Sequence, residues 1–135
     1  ANRFNWIRHM LRQALTEGKI ERAGDGEEIR EYIHVHDAAA SSVRILDPEF
    51  ADQRLILTGG EGIKIRDLLL MVREMMGNRV EVRYLPGTDP THYEITPYCF
   101  RPQPARKLVA NPHVDLGQGL LECLYDLQQE QEKKQ

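Results

Sequence analysis

Apolar residues recur at helical spacing in three stretches of the chain. The first two stretches are each followed by a glycine, Gly18 and Gly77, and glycine is the residue that most often ends a helix in the left-handed conformation. The third stretch runs into a tail rich in Gln, Glu and Lys. The apolar positions are Phe4, Ile7, Met10, Leu11, Ala14 and Leu15, then Ile65, Leu68, Leu69, Val72, Met75 and Met76, then Leu120, Leu121, Leu124 and Leu127. We predict an amphipathic helix in each stretch.

A shorter helix is predicted between the first two. Asp37 belongs to the residue types that cap helix N-termini, and Ala39, Val43 and Leu46 follow it. The Asp47-Pro48 pair is expected to end this helix, because proline cannot continue one.

Short runs with strand character separate the helices. They cover residues 19–22, 29–35, 54–58, 80–84 and 107–109. The second run alternates, which predicts a strand with one apolar face and one face that offers hydrogen-bond donors and a cation. The apolar face would carry Ile29, Ile33 and Val35 together with Glu31, and the polar face Arg30, Tyr32, His34 and His36.

Strands that alternate with helices indicate an α/β fold, and residues 1–135 are predicted to form a single unit. The strands are few and short, so a complete doubly wound sheet is not expected. The apolar stripes of the first and third helices are expected to need cover. This suggests self-association as a homodimer.

Composition narrows the classes of partner. The chain has 41% hydrophobic and 29% charged residues and a net charge of −3, without the basic excess of a nucleic-acid-binding protein. No apolar run reaches the roughly 18 residues of a membrane span. Cys99 and Cys123 are too few for a disulfide framework. Buried thiols in a reducing compartment are expected, which indicates a cytoplasmic location.

The catalytic signals of a complete redox enzyme are missing. Gly59, Gly60 and Gly62 lack the third glycine spacing of a dinucleotide loop and are interpreted as a β-to-α turn. None of the five tyrosines is followed by a lysine four residues later. His34 and His36, with Asp37 beside them, allow a metal site only if His92 or His113 supplies a further ligand.

Residues 85–104 are predicted to form a long loop, which contains five of the seven prolines together with Tyr93, Tyr98 and Arg101. A loop of this length in a compact domain is more often functional than not. Tyr98 is a candidate for lining a ligand pocket.

Residues 24–39 read GDGEEIREYIHVHDAA. This segment resembles the extended short-chain dehydrogenase/reductase family, in which a Gly-Asp-Gly turn leads to Arg-Asp-Phe/Tyr-Ile/Val-His/Tyr-Val and then Asp-Ala. Residues 55–60, residues 80–86 and the closing stretch from Arg101-Pro102 to residues 116–120 are similar to later elements of that family in the same order. The family usually has Gly-Asp after Arg-Pro, whereas Gln103-Pro104 stands here.

The resemblance implies that this chain is the C-terminal, substrate-side portion of an extended Rossmann-type reductase. An N-terminal Rossmann domain would carry NAD or NADP and the catalytic Tyr/Lys pair. A nucleoside-diphosphate sugar would bind between the two parts, so the portion alone would not be catalytic. Arg30 matches the arginine that meets the substrate diphosphate in the family, Arg101 matches a second one, and Asn5 matches an asparagine on the diphosphate or base side.

Two other functions stay open at this point. Some members of the family have lost their chemistry and act as nucleotide-binding regulators, and the chain could be a module of such a protein. A metal-dependent enzyme built on His34 and His36 is the other alternative.

Overall fold

The computed structural model describes residues 5–87 and 105–133. Helices and short strands alternate along the described chain. Their order is α1 (Trp6–Glu17), β1 (Lys19–Ala23), β2 (Ile29–Glu31), α2 (Val35–Arg44), a 3₁₀ turn (Pro48–Phe50), β3 (Leu55–Leu57), β4 (Gly62–Lys64), α3 (Ile65–Met75), β5 (Glu81–Leu85), β6 (Arg106–Leu108) and α4 (Leu116–Glu132).

The strands associate in three pairs. β1 pairs with β5 and β3 pairs with β6, both in parallel, whereas β2 and β4 are antiparallel with Arg30 opposite Ile63. Parallel pairs linked through helices confirm the predicted α/β class. Among the described residues the pairs do not join into one continuous sheet.

The predicted ends of α1 and α3 are confirmed. Gly18 has φ 64° and its N–H donates to the carbonyl of Ala14 at 3.1 Å. Gly77 has φ 66° directly after the last turn of α3. Both residues are in the left-handed region, where a side chain would be strained.

The apolar stripes of α1, α3 and α4 meet in one core around β1. Its buried members are Met10, Leu11, Ala14, Ile20, Ile65, Leu68, Leu69, Val72, Val80, Leu120 and Leu127. The expectation that the stripes of the first and third helices need cover from a second copy is therefore wrong, because α4 packs against both helices within the chain. The homodimer itself stays a prediction.

The predicted strand over residues 29–35 is also wrong in its second half. β2 ends at Glu31, and α2 begins at Val35. β4, its partner, is only three residues long, so the ladder has nothing to pair with beyond Glu31. His34, and not Asp37, is the N-cap of α2, since the Nδ1 atom of His34 accepts a hydrogen bond from the backbone N–H of His36. The polar face expected for Arg30, Tyr32, His34 and His36 does not exist as a strand face.

The carboxylate of Asp37 has a different role. It is buried and accepts a hydrogen bond from the backbone N–H of Val114 at 2.8 Å. This contact joins the first turn of α2 to the segment that leads into α4. It brings together two parts of the chain that are 77 residues apart.

No helix in residues 5–87 and 105–133 combines the length and the apolar character that crossing a membrane requires.

Candidate functional site

A broad, open cavity of ≈ 1310 Å³ lies where several elements begin or end. Its walls come from the start of α1, the end of β1, the segment from β2 into α2, the turn between β3 and β4, and the first turns of α4. Arg30 and Asn5, two of the predicted substrate residues, both line it. Arg101 and Tyr98, the other two, lie outside the described residues.

Arg30 has hydrogen-bonding capacity that the described part of the protein does not use. Its Nη1 donates to the adjacent carbonyl of Ile29 at 3.0 Å. Its Nη2 is buried and has no hydrogen-bond partner among the described residues. Leaving a buried donor of a charged group unsatisfied is costly, so this nitrogen is suited to an acceptor that enters the cavity.

Asn5 is the N-cap of α1. Its side-chain Oδ1 accepts a hydrogen bond from the backbone N–H of Arg8 at 3.0 Å. Capping uses the oxygen and leaves the amide N–H groups as donors at the cavity wall. The side chain therefore has a structural role that is compatible with the predicted binding role.

A second arginine, Arg22, lines the same cavity and was not predicted. It is 5% exposed, its Nη2 donates to Glu28 Oε1 at 2.6 Å, and its guanidinium carbon lies 5.0 Å from the ring centroid of Trp6. The sequence carries a signal for it, because Arg22 lies two residues after Ile20 and therefore shares its buried face on β1. An arginine on the inward face of a strand indicates a cation that is paired or used.

Tyr32 lies close to both guanidinium groups. Burial raises the pKa of its phenol to about 12, and the positive charges of Arg30 and Arg22 oppose that shift. The hydroxyl therefore stays protonated at neutral pH and can act as a hydrogen-bond donor within the cavity.

Among the described residues, the histidines do not form the metal arrangement that the sequence left open as an alternative. The rings of His34 and His36 meet edge to face with their centroids 4.9 Å apart, and His34 Nδ1 is taken up by the cap of α2. His34 Nε2 lies 3.5 Å from a carboxylate oxygen of Glu122. Within the described ranges, no three His, Cys, Asp or Glu side chains gather as a metal-binding group. His92 lies outside those ranges.

The three glycines after β3 do not form a dinucleotide loop. The stretch is not a β-to-α turn either, because β4 lies between it and α3. Gly59 packs against the carbonyl of Tyr32, and Gly62 packs against the side chain of Ile29. The first backbone N–H groups of α3 donate to the carbonyls of Glu28 and Gly26. These N–H groups are thus occupied where a pyrophosphate would need them, and the turn does not fit NAD or NADP.

Glu31 was not predicted as a site residue, yet it ties the cavity wall together. One carboxylate oxygen accepts a hydrogen bond from Thr58 Oγ1 at 2.5 Å, and the other accepts one from Lys107 Nζ at 2.5 Å. Thr58 is buried at the end of β3, and Lys107 lies in β6. The sequence pattern pointed only to its neighbour Arg30. Glu31 gave no signal of its own, because its partners Thr58 and Lys107 lie 27 and 76 residues away in the chain.

These contacts predict a pH dependence. The ammonium of Lys107 and the hydroxyl of Thr58 hold the pKa of Glu31 below its ordinary value of 4.5. Because the folded-state pKa is depressed, the stabilising contribution is complete above about pH 4.5 and is lost as the pH falls through the folded-state pKa. We expect wild type to be more stable than Glu31→Gln at pH 7 in urea denaturation. The difference in the free energy of unfolding between the two proteins should narrow below about pH 4.5. A gap that is the same at pH 7 and pH 3 would contradict the role of the charge.

Comparison with known proteins agrees with the resemblance seen in residues 24–39. Residues 4–57 match the model of the NAD dependent epimerase/dehydratase family. Over 81 residues the chain is 33% identical to dTDP-4-dehydro-6-deoxy-D-allose reductase of Streptomyces bikiniensis. This match covers 60% of the chain and 24% of the relative.

Solved structures share the fold over nearly the whole chain. dTDP-glucose 4,6-dehydratase from Bacillus anthracis in complex with NAD has a TM-score of 0.64 at 18% identity, covering 93% of this chain and 40% of that one. UDP-glucuronic acid 4-epimerase from Bacillus cereus in complex with NAD has a TM-score of 0.64 at 16% identity, covering 91% and 39%. The chain thus spans about a quarter of the curated relative and about two fifths of these structures.

The family model matches the segment that supplies Asn5, Arg22, Arg30 and Glu31, and the fold continues beyond it through α4. Residues 4–57 thus resemble the NAD dependent epimerase/dehydratase family, and the solved structures extend the similarity of fold to nearly the whole chain.

Proposed function

We propose that this chain is the substrate-binding part of an NAD- or NADP-dependent nucleotide-sugar epimerase or dehydratase, and that its cavity holds the nucleotide diphosphate. The observation that carries the proposal is the buried Nη2 of Arg30, which has no acceptor among the described residues, in a side chain that lines an open cavity. A planar guanidinium matches phosphate oxygens with paired hydrogen bonds, which a lysine cannot reproduce.

The charges around Arg30 support an anionic ligand. No carboxylate among the described residues pairs with Arg30, whereas the charge of Arg22 is compensated by Glu28. Tyr32 and Asn5 add neutral donors along the same cavity. A cation that pairs with no described carboxylate, together with these neutral donors, favours an acceptor-rich group such as a diphosphate.

The names of the similar proteins support the class of substrate. The curated relative and the two structures described above are named for dTDP- or UDP-linked sugars, and both structures are complexes with NAD. We infer a nucleoside-diphosphate sugar for this chain as well. The reaction, whether epimerisation, dehydration or reduction, would be set by residues that supply the hydride chemistry.

NAD or NADP would be held by a Rossmann domain N-terminal to this portion of the protein. The occupied N-terminus of α3 and the packed glycines argue against a cofactor loop at residues 59–62. In this proposal the described residues bind and orient the substrate, and the fragment by itself performs no redox step. Orientation of a bound reactant can account for much of the rate of a two-reactant step.

The test is isothermal titration of the full-length protein with UDP, UDP-glucose and dTDP-glucose. Arg30→Ala is expected to weaken binding by roughly 10- to 100-fold, since a hydrogen bond to a charged group contributes about 1.5–3 kcal/mol. Arg30→Lys should recover only part of the loss, because it keeps the charge but not the planar fork.

Arg73→Ala is the matched control, because Arg73 is exposed on α3 and does not line the cavity. It should bind as wild type does. Wild-type affinity in Arg30→Ala, with an unchanged melting temperature, would refute the proposed site.

A further inference from the structure

The side chain of Glu31 joins strands that have no backbone ladder between them. β2 pairs with β4, and β3 pairs with β6, but among the described residues neither strand of one pair is hydrogen-bonded in a ladder to a strand of the other. The two carboxylate oxygens of Glu31 cross this gap to Thr58 and Lys107. They hold the carboxyl end of β2 to the end of β3 and to β6.

Neither contact is incidental. The Thr58 side chain is buried, with a relative exposure of 5% for the residue, so its hydroxyl needs a partner inside the fold. Lys107 brings a positive charge that balances the carboxylate. The carbonyl of Tyr32, the next residue, lies directly against Gly59. The segment from Glu31 to Tyr32 is thus seated on the segment from Thr58 to Gly59.

Arg30 depends on this seating for its own direction. Its one described hydrogen bond is to the carbonyl of the residue before it, so no other element of the described structure holds its guanidinium by a hydrogen bond. The direction in which Arg30 points into the cavity is therefore set by where β2 lies. On the opposite edge, β2 is held by only three residue pairs with β4.

We propose that Glu31 is a positioning residue: by holding β2 to Thr58 and Lys107, it aims the guanidinium of Arg30 at the ligand. This inference rests on the proposed function, since it assigns Glu31 a role through Arg30. Glu31 itself has both oxygens occupied and carries the same sign of charge as a diphosphate, so it does not contact the ligand.

The test is a double-mutant cycle on the full-length protein, with UDP as the titrated ligand. Glu31→Ala is expected to weaken binding by about tenfold, because Arg30 is then no longer held in the position in which it binds the phosphate. Thr58→Val, which keeps the shape and removes the hydroxyl, should give a smaller loss in the same direction. In an Arg30→Ala background, Glu31→Ala should cause no further loss, because a residue that acts through Arg30 has nothing left to aim.

General damage to the fold gives a different pattern. If Glu31→Ala lowers affinity by the same factor with and without Arg30, the positioning role is refuted. If Glu31→Ala does not fold, Glu31→Gln and Thr58→Val carry the same cycle. A loss in Arg30→Ala without any loss in the Glu31 or Thr58 variants overturns this inference alone. Wild-type affinity in Arg30→Ala overturns the proposed function.

Discussion

Gly59→Ala is expected to disrupt the junction between β2 and β3 and to destabilise the protein severely. A Cβ atom at Gly59 would lie 1.8 Å from the carbonyl oxygen of Tyr32 and 2.9 Å from its carbonyl carbon. Both are backbone atoms, so no side chain can rotate away to make room. One of the two segments must move, and we expect a loss on the order of 3 kcal/mol or more, at the upper end for overpacked sites.

Gly60→Ala is a sensitive control, because it makes the same substitution one residue along. A Cβ atom at Gly60 would lie 3.6 Å from Nε2 of His113, which is an ordinary contact. Urea denaturation followed by circular dichroism measures both variants. Gly60→Ala should stay close to wild type. Equal stabilities for the two variants would show that the backbone of Gly59 does not approach Tyr32 as described.

The same substitution should affect ligand binding. Tyr32 follows Glu31 and lies at the cavity wall with Arg30. A shift of its carbonyl by the distance that a methyl group requires would carry β2 away from Thr58. Where Gly59→Ala still folds at low temperature, we therefore expect weaker UDP binding than in Gly60→Ala, in parallel with Glu31→Ala.

The helices were predictable because their signals are local. The apolar stripe of α3 and the glycine after it lie within thirteen residues of chain. The helical spacing of the stripe and the position of the glycine indicate the same helix. The same holds for α1 and Gly18. In such elements the buried face can be read from the spacing of the apolar residues alone, and the structure buries Leu68, Leu69 and Val72 as the spacing requires.

The change from strand to helix after Glu31 could not be predicted in this way. Residues 29–36 alternate in sequence except at Glu31, and histidine is not a usual cap residue, so His34 gave no signal for a helix start. Asp37 did give such a signal, but Val114, 77 residues away, uses its carboxylate. β4 was missed for a related reason, since three residues next to a strong helical stripe carry too little periodicity of their own.

The candidate site shows the same division. Asn5 and Arg30 were predicted as substrate-binding residues from the resemblance of the surrounding residues, and the structure places both at one cavity, while their role stays a prediction. Glu31 and Thr58 were not found, because a carboxylate and a hydroxyl 27 residues apart become partners only when β2 is seated on the end of β3. Contacts between distant segments are what a single sequence does not display.

Leu69→Ala is expected to cost about 2–5 kcal/mol, the range for truncating a fully buried leucine. Leu69 has 0% exposure and belongs to the core in which the stripes of α1, α3 and α4 meet. The truncation removes apolar contacts and leaves a cavity that the surrounding helices fill only partly. Urea denaturation should show a lower midpoint with a similar slope, because the surface exposed on unfolding changes little.

Leu70→Ala separates burial from helix propensity. Leu70 is the next residue of α3, undergoes the same chemical change, and is 50% exposed. The loss of unfolding free energy in Leu70→Ala should stay below about 1 kcal/mol, since half of this side chain is already exposed to solvent in the folded state. The difference between the two variants therefore measures what the buried face of α3 contributes. If Leu70→Ala were as unstable as Leu69→Ala, a partner would have to cover the outer face of α3 in solution. Burial of the apolar stripes within the chain does not by itself require such self-association.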